Sequence, residues 1–271
     1  MKILQRKLRI LSNKKISGNY CKIILKDEIM TSSSCPGQFI EVKINNTTVP
    51  LLRRPFSIHR VRSKELGARS LIEVLYEVKG KGTKELSDKK SGEYLDVIGP
   101  LGNGFDLETP NSELRTPILI AGGMGVAPLV FVAENLKKFH PHNCQLPTVL
   151  IGARTKEQIL CQKEFKHLGF NVKIATDDGS LGFKGRVTDL LEDLLSAISH
   201  QPSAIYACGP RQMLKELSRI AKVNNISAQI SLEEHMACGI GACLGCVVKT
   251  ASGYKRVCKE GPVFDAREII W

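Results

Sequence analysis

The chain has 271 residues, 42% hydrophobic and 24% charged, a globular composition that excludes disordered, collagen-like and coiled-coil chains. At roughly 100–200 residues per domain, this length accommodates two domains and a small third lobe. Lysine and arginine number 39 against 27 acidic residues, a net charge of +12, and residues 1–105 hold 20 basic against 10 acidic. That bias suits a polyanion such as nucleic acid, anionic lipid or cofactor phosphates, and it equally suits a solvated basic surface.

Lys2, Arg6, Lys7, Arg9, Lys14 and Lys15 interrupt the first apolar residues, so no signal peptide is expected. The longest uncharged apolar stretch, Pro117 to Ala133, is short for a membrane span and is broken by Gly122, Gly123, Gly125 and Pro128. The expectation is a soluble, cytoplasmic protein with no membrane contact.

In residues 1–105, short alternating runs at Tyr20–Leu25, Phe39–Ile44, Leu71–Val78 and Tyr94–Ile98 lie between Gly, Pro, Asn and Ser. They predict a small antiparallel β-barrel, ending at the turn-rich Gly99-Pro-Leu-Gly-Asn-Gly104. Over residues 106–229, compact apolar strands at Ile118–Ala121, Thr148–Ile151, Val172–Ala175 and Ala204–Cys208 alternate with helices. The clearest helix is Gln212–Lys222, with Leu214, Leu217, Ile220 and Ala221 on one face. This pattern predicts an α/β domain with a parallel sheet covered on both faces. A last strand near Ala228–Leu232 leads into a cysteine-rich lobe, residues 230–271.

Nine cysteines divide into five scattered ones and four crowded at Cys238, Cys243, Cys246 and Cys258. The spacing C-x4-C-x2-C-x11-C is that of a plant-type [2Fe–2S] cluster. Three thiolates wrap one edge of a cluster, and Gly239, Gly241 and Gly245 let backbone N–H groups approach its sulfides. A four-cysteine zinc site is the alternative, although zinc ribbons usually separate two C-x2-C pairs.

Gly122, Gly123 and Gly125 follow a predicted strand and open a predicted helix, an arrangement that brings backbone N–H groups to a pyrophosphate. Pro128 stands where the strict dinucleotide fingerprint has its third glycine, and packing alone also explains such turns. Cys208-Gly209-Pro210 closes a later strand of the same sheet, where a ligand crevice lies, and Asp177-Asp178-Gly179 follows another.

A nicotinamide nucleotide gives two electrons together and an iron–sulfur cluster accepts one, so a flavin is needed between them. In the barrel, Arg54 offers a phosphate partner, Phe56 a stacking ring and Ser57 a hydrogen bond to a flavin edge, with Pro55 between. Lys79-Gly80-Lys81-Gly82-Thr83 offers N–H groups to a pyrophosphate at a helix start. Taken singly, each could be an ordinary basic turn beside a strand.

Arg-Pro-Phe-Ser, Gly-Lys-Gly-Thr, Gly-Gly-Met-Gly-Val-Ala-Pro and Cys-Gly-Pro, in that order, resemble the ferredoxin–NADP reductase superfamily. Ser231-Leu-Glu-Glu-His-Met-Ala-Cys-Gly-Ile-Gly-Ala-Cys-Leu-Gly-Cys246 and Val257-Cys-Lys-Glu-Gly-Pro-Val-Phe264 resemble the electron-transfer subunits of NAD-dependent (class B) dihydroorotate dehydrogenases. The resemblance covers essentially the whole chain. It implies FAD in the barrel, NAD in the sheet domain and [2Fe–2S] in the lobe. It places Arg54, Pro55, Phe56 and Ser57 on the flavin and its phosphates. Leu75, Tyr76 and Glu77 would line the FAD along a strand, and Gly82 and Thr83 would hold its pyrophosphate. It also implies a partner, an FMN-containing catalytic subunit that oxidises dihydroorotate, in a heterotetramer of two chains of each kind. No side-chain nucleophile is required. Phe56 stands where the superfamily usually has Tyr, and Arg154 and Lys156 offer partners for the 2′-phosphate of NADP. A related subunit serving an NADP-linked ferredoxin oxidoreductase or a sulfide dehydrogenase is the near alternative. A zinc-stabilised nucleic-acid-binding module, suggested by the charge, is the remote alternative, but the sequence carries neither an aromatic RNA-binding signature nor a DNA-reading helix motif.

Overall fold

The computed structural model describes residues 3–64, 68–107, 117–139, 147–198 and 202–271. Seven strands of the first part pair antiparallel: β1 (Leu4–Ser17), β2 (Tyr20–Lys26), β3 (Phe39–Lys43), β4 (Arg54–Ser57), β5 (Arg60–Lys64), β6 (Ala68–Glu77) and β7 (Tyr94–Leu101). Their order is β4-β3-β7-β1-β2-β6-β5, and the sheet curls until β4 meets β6. The alternation of β2 puts Ile23 and Leu25 in the same interior as Leu8, Ile10, Ile40, Val42 and Val97. β1, the longest strand, has little sequence signature. A register shift between Ile10 and Ser12 breaks its period, and its distal half carries the exposed Lys14, Lys15 and Ile16. β7 runs on through the expected turn, pairing Gly99 with Leu4 and Leu101 with Phe39.

The second sheet contains β8 (Ile118–Gly122), β9 (Thr148–Ala153), β10 (Asn171–Thr176), β11 (Phe183–Lys184), β12 (Ile205–Cys208) and β13 (Ala228–Ser231), all parallel. The chain builds outward from β8 through β9, β10 and β11, then returns to lay β12 and β13 on its other side. The ends of β8 and β12 are therefore the switch point at which open α/β sheets form a ligand crevice. Every residue of β8 is buried, as a strand covered on both faces requires. The helix expected over Gln212–Lys222 spans Arg211–Val223 and buries Leu214, Leu217, Ile220 and Ala221 as its periodicity demands.

Beyond β13 the chain forms the cysteine loop, the hairpin β14 (Val247–Thr250) and β15 (Gly253–Arg256), and β16 (Val263–Asp265). β16 adds antiparallel to β13, so the lobe extends the second sheet. Cys246, Cys258 and Phe264 share one core with Ile120, Ile230, Phe39 and Leu101. Asn103 ties the barrel to the lobe, its backbone N–H donating to Gly261 O at 2.6 Å and its side chain to Glu260 O at 3.0 Å. The cluster lobe is thus held by both other units rather than tethered. Among the described residues, no helix is long and apolar enough to cross a membrane.

Candidate functional site

A crevice of 1240 Å³ opens at the switch point, lined by Gly122, Gly123 and Gly125 from the end of β8 and by Gly209 and Pro210 after β12. The register of β8 and β12 pairs Ala121 with Cys208, so both turns leave the sheet at one level. Gly125 is required there: a Cβ would lie 2.6 Å from the backbone nitrogen of Gly209 and would meet the Cys208 carbonyl. Cys208 contributes this backbone contact, while its thiol is buried beside Ser231 and burial pushes its pKa up. Asp177 and Arg154 line the outer part of the crevice. Lys156 instead caps the neighbouring turn, its N–H donating to Ser180 Oγ at 2.8 Å. Tyr20, Lys79 and Glu233 also face the crevice, which pattern reading did not foresee because they come from the other two units.

A second cleft, of 280 Å³, adjoins the first and contains Pro55, Phe56, Ser57, Leu75, Tyr76 and Glu77 together. The pairing of β3 with β4 sets Ser57 opposite Phe39 and Pro55 opposite Glu41. Phe56 stacks edge-on against Tyr76, ring centroids 5.7 Å apart, and the Tyr76 hydroxyl donates to Asn13 Oδ1 at 2.9 Å. Met124 and Ala127 close this cleft from the glycine turn, and Ser231 to Glu234 with Met236 close it from the approach to the cysteine loop. It lies where all three units meet. Glu233 borders both clefts; its side chain keeps contact with solvent, yet the protein packed around it desolvates the carboxyl and pushes its pKa up against the pull of Lys79.

Arg54 and Gly82 also come together: a Cβ on Gly82 would lie 3.1 Å from Arg54 Nε. The Thr83 hydroxyl accepts from Lys79 N–H at 2.9 Å and Gly80 N–H at 3.1 Å, fixing the start of the helix Lys81–Asp88. This corner, with a guanidinium beside a helix N-terminus and no side chain on Gly82, could hold a pyrophosphate.

In the cysteine loop, backbone N–H groups converge on sulfur. Gly241 donates to Cys258 Sγ at 3.1 Å, Ala242 and Cys243 to Cys238 Sγ at 3.3 and 3.4 Å, and Gly245 to Cys243 Sγ at 3.4 Å. Burial raises the Cys238 pKa, but these N–H groups and the Cys243 thiol overcome it and bring it to about 6. The thiols associate as Cys238 with Cys243 and Cys246 with Cys258, while burial and the Cys246 thiol push Cys258 up to about 12. Among the described residues, no three ligating side chains converge on one point. Two thiol pairs fit a centre of two irons, each taking two thiolates, better than a single zinc ion. Arg256 braces the loop, donating to Gly241 O at 2.7 Å and pairing with Glu260.

Residues 233–270 match the family model of the iron–sulfur cluster binding domain of dihydroorotate dehydrogenase B, and residues 119–219 match the oxidoreductase NAD-binding domain. The electron transfer subunit of dihydroorotate dehydrogenase B (NAD(+)) from Desulforamulus reducens is 44% identical over 240 residues, covering 87% of each chain. Its counterpart from Geobacillus sp. (strain WCH70) is 39% identical over 269 residues, covering 98% of each. This chain belongs to that family of electron transfer subunits. The same fold extends to a solved NADH-dependent reduced ferredoxin-NADP oxidoreductase, described for flavin-based electron bifurcation. That structure has a TM-score of 0.83 and 29% identity over 97% of this chain and 90% of that one. The electron transfer subunit family thus accounts for the thiol pairs and the switch-point crevice within one chain.

Proposed function

We propose that this chain accepts electrons from NADH and delivers them, in the cytoplasm, to the FMN of a dihydroorotate-oxidising catalytic subunit, in an assembly of two chains of each kind. FAD held in the barrel would supply the exchange between two-electron and one-electron chemistry, and a [2Fe–2S] cluster in the lobe would supply a one-electron relay. The observation that carries this reading is the cleft shared by three units, where Pro55 to Ser57, Met124 and Met236 face one another. Gly122, Gly123, Gly125, Gly209 and Pro210 would orient the nucleotide, with Cys208 positioning the turn from beneath. Ser57 and the Leu75–Glu77 strand would hold the flavin edge, and Arg54, Gly82 and Thr83 its phosphates. Cys238, Cys243, Cys246 and Cys258 would bind the irons. Met124 and Leu232 add apolar surface to the lining of the shared cleft.

The isolated, cofactor-loaded chain is expected to reduce artificial electron acceptors with NADH and to leave dihydroorotate untouched. Oxidation of dihydroorotate by this chain alone would refute the division of labour. Sedimentation of the co-expressed complex tests the stoichiometry.

A further inference from the structure

Glu41, in the middle of β3, is fully buried, and neither of its carboxylate oxygens has a hydrogen-bond partner. On one side of its strand it pairs with Pro55 of the flavin motif, and on the other with Ile98 of β7. Its side chain presses on the cysteine loop: a Cβ on Gly239, whose φ is +68°, would come 2.7 Å from Glu41 Oε1. Burial pushes its carboxyl pKa up to about 7 against the pull of Arg53 and Arg54, with Cys238 pushing the same way, so the side chain is fully ionised only in alkaline solution. Arg53 is engaged by Asp96 at 3.0 Å, and Arg54 donates to Leu52 O at 2.7 Å, so neither guanidinium quenches the carboxylate by direct contact. Ionising a buried carboxyl without donors costs several kcal/mol of desolvation, which a methionine filling the same space avoids. Packing alone therefore does not account for a charge at this place.

We infer that Glu41 is a positioning residue for electron transfer: its side chain braces the Cys238 end of the cysteine loop against the flavin strand and, when ionised, holds negative charge beside the cluster, lowering the cluster's reduction potential. This rests on the reading of Cys238, Cys243, Cys246 and Cys258 as cluster ligands. A negative charge in a low-dielectric site disfavours an added electron, so the electron leaves the cluster more readily for the next acceptor. Gly239 answers the same contact from the loop, since any side chain there would displace the carboxylate.

The test is a redox titration of the cluster, followed by electron paramagnetic resonance in alkaline buffer, on the full-length holoprotein. The wild-type signal tests the cluster itself, and its absence defeats the ligand reading rather than the role of Glu41. Glu41→Gln, which keeps the shape and removes the charge, is expected to keep the iron content and shift the midpoint potential upward. Glu41→Asp, which keeps the charge, should stay closer to wild type. A Gln variant with full iron content and an unchanged potential overturns the proposal. Loss of folding, flavin and iron in both variants assigns Glu41 to structure alone and overturns it equally.

Discussion

His59 shows how one side chain couples stability to pH. It follows β4, is buried, and its Nδ1 lies 2.7 Å from Ala127 O in the helix beyond the glycine turn. Burial drives its pKa down to about 4, against the opposing pull of that carbonyl. The unfolded chain binds this proton near pH 6.5 and the folded chain does not, so stability present at neutral pH is lost as pH falls from about 6.5 to 4. The loss amounts to about 3 kcal/mol at full effect. His59→Asn, which retains a donor toward Ala127, should flatten that acid limb, as read from urea midpoints across the range. Gly125→Ala makes a different demand, because its methyl would collide with the turn after β12. The variant should raise the KM for NADH by about tenfold or more, equivalent to about 1.4 kcal/mol, with the flavin spectrum unchanged.

At the scale of elements, the cysteine loop is shaped by its own backbone and clamped from outside by the hairpin β14–β15. The Arg256 guanidinium at the end of that hairpin reaches the Gly241 carbonyl and the Glu260 carboxylate, whose pKa it holds down at about 2. Arg256→Ala is expected to leave the fold intact and speed cluster loss, seen as a falling iron-to-protein ratio during anaerobic dialysis. Cys243→Ser should abolish the cluster while NADH still bleaches the flavin, because no cysteine of the loop lines the crevice. Loss of both together would show that the lobe is needed to shape the shared cleft. These elements were legible to different degrees. The glycine turn, the periodicity of the helix Arg211–Val223 and the cysteine spacing are local patterns and stand out in the chain. β1 does not, since its lysine-rich half and its register shift hide a strand that only pairing with β2 and β7 defines.

In the whole molecule, much of the basic excess lies outside both clefts: Lys7, Arg9, Lys14, Lys15 and Lys26 are exposed along β1 and β2. Arg54 and Lys79 are the barrel cations set nearest the clefts and the Gly82 corner. One group of exposed apolar side chains lies around the cysteine loop, where Leu244 is 60% and Tyr254 75% exposed and Ile240 and Val247 are exposed too. An apolar surface ringing a one-electron centre suits docking of the catalytic subunit. Leu244→Lys should weaken co-purification with that subunit by about tenfold or more while NADH-driven reduction of an artificial acceptor persists.

Chain order, strand–helix alternation and the x4–x2 cysteine spacing determine the three units and their chemistry, because each is set by residues close together in sequence. Tertiary structure decides how the units share sites. The alternation of β3 points Glu41 away from the barrel interior, toward what an isolated barrel would leave to solvent, and only the cysteine loop packed over it makes that carboxyl buried. Glu233 and Met236 precede the four crowded cysteines in sequence yet line the central cleft, because β16 pins the lobe to β13 and turns this segment across the glycine turn. Such contacts join residues about 50 to 200 positions apart, and no local period records them.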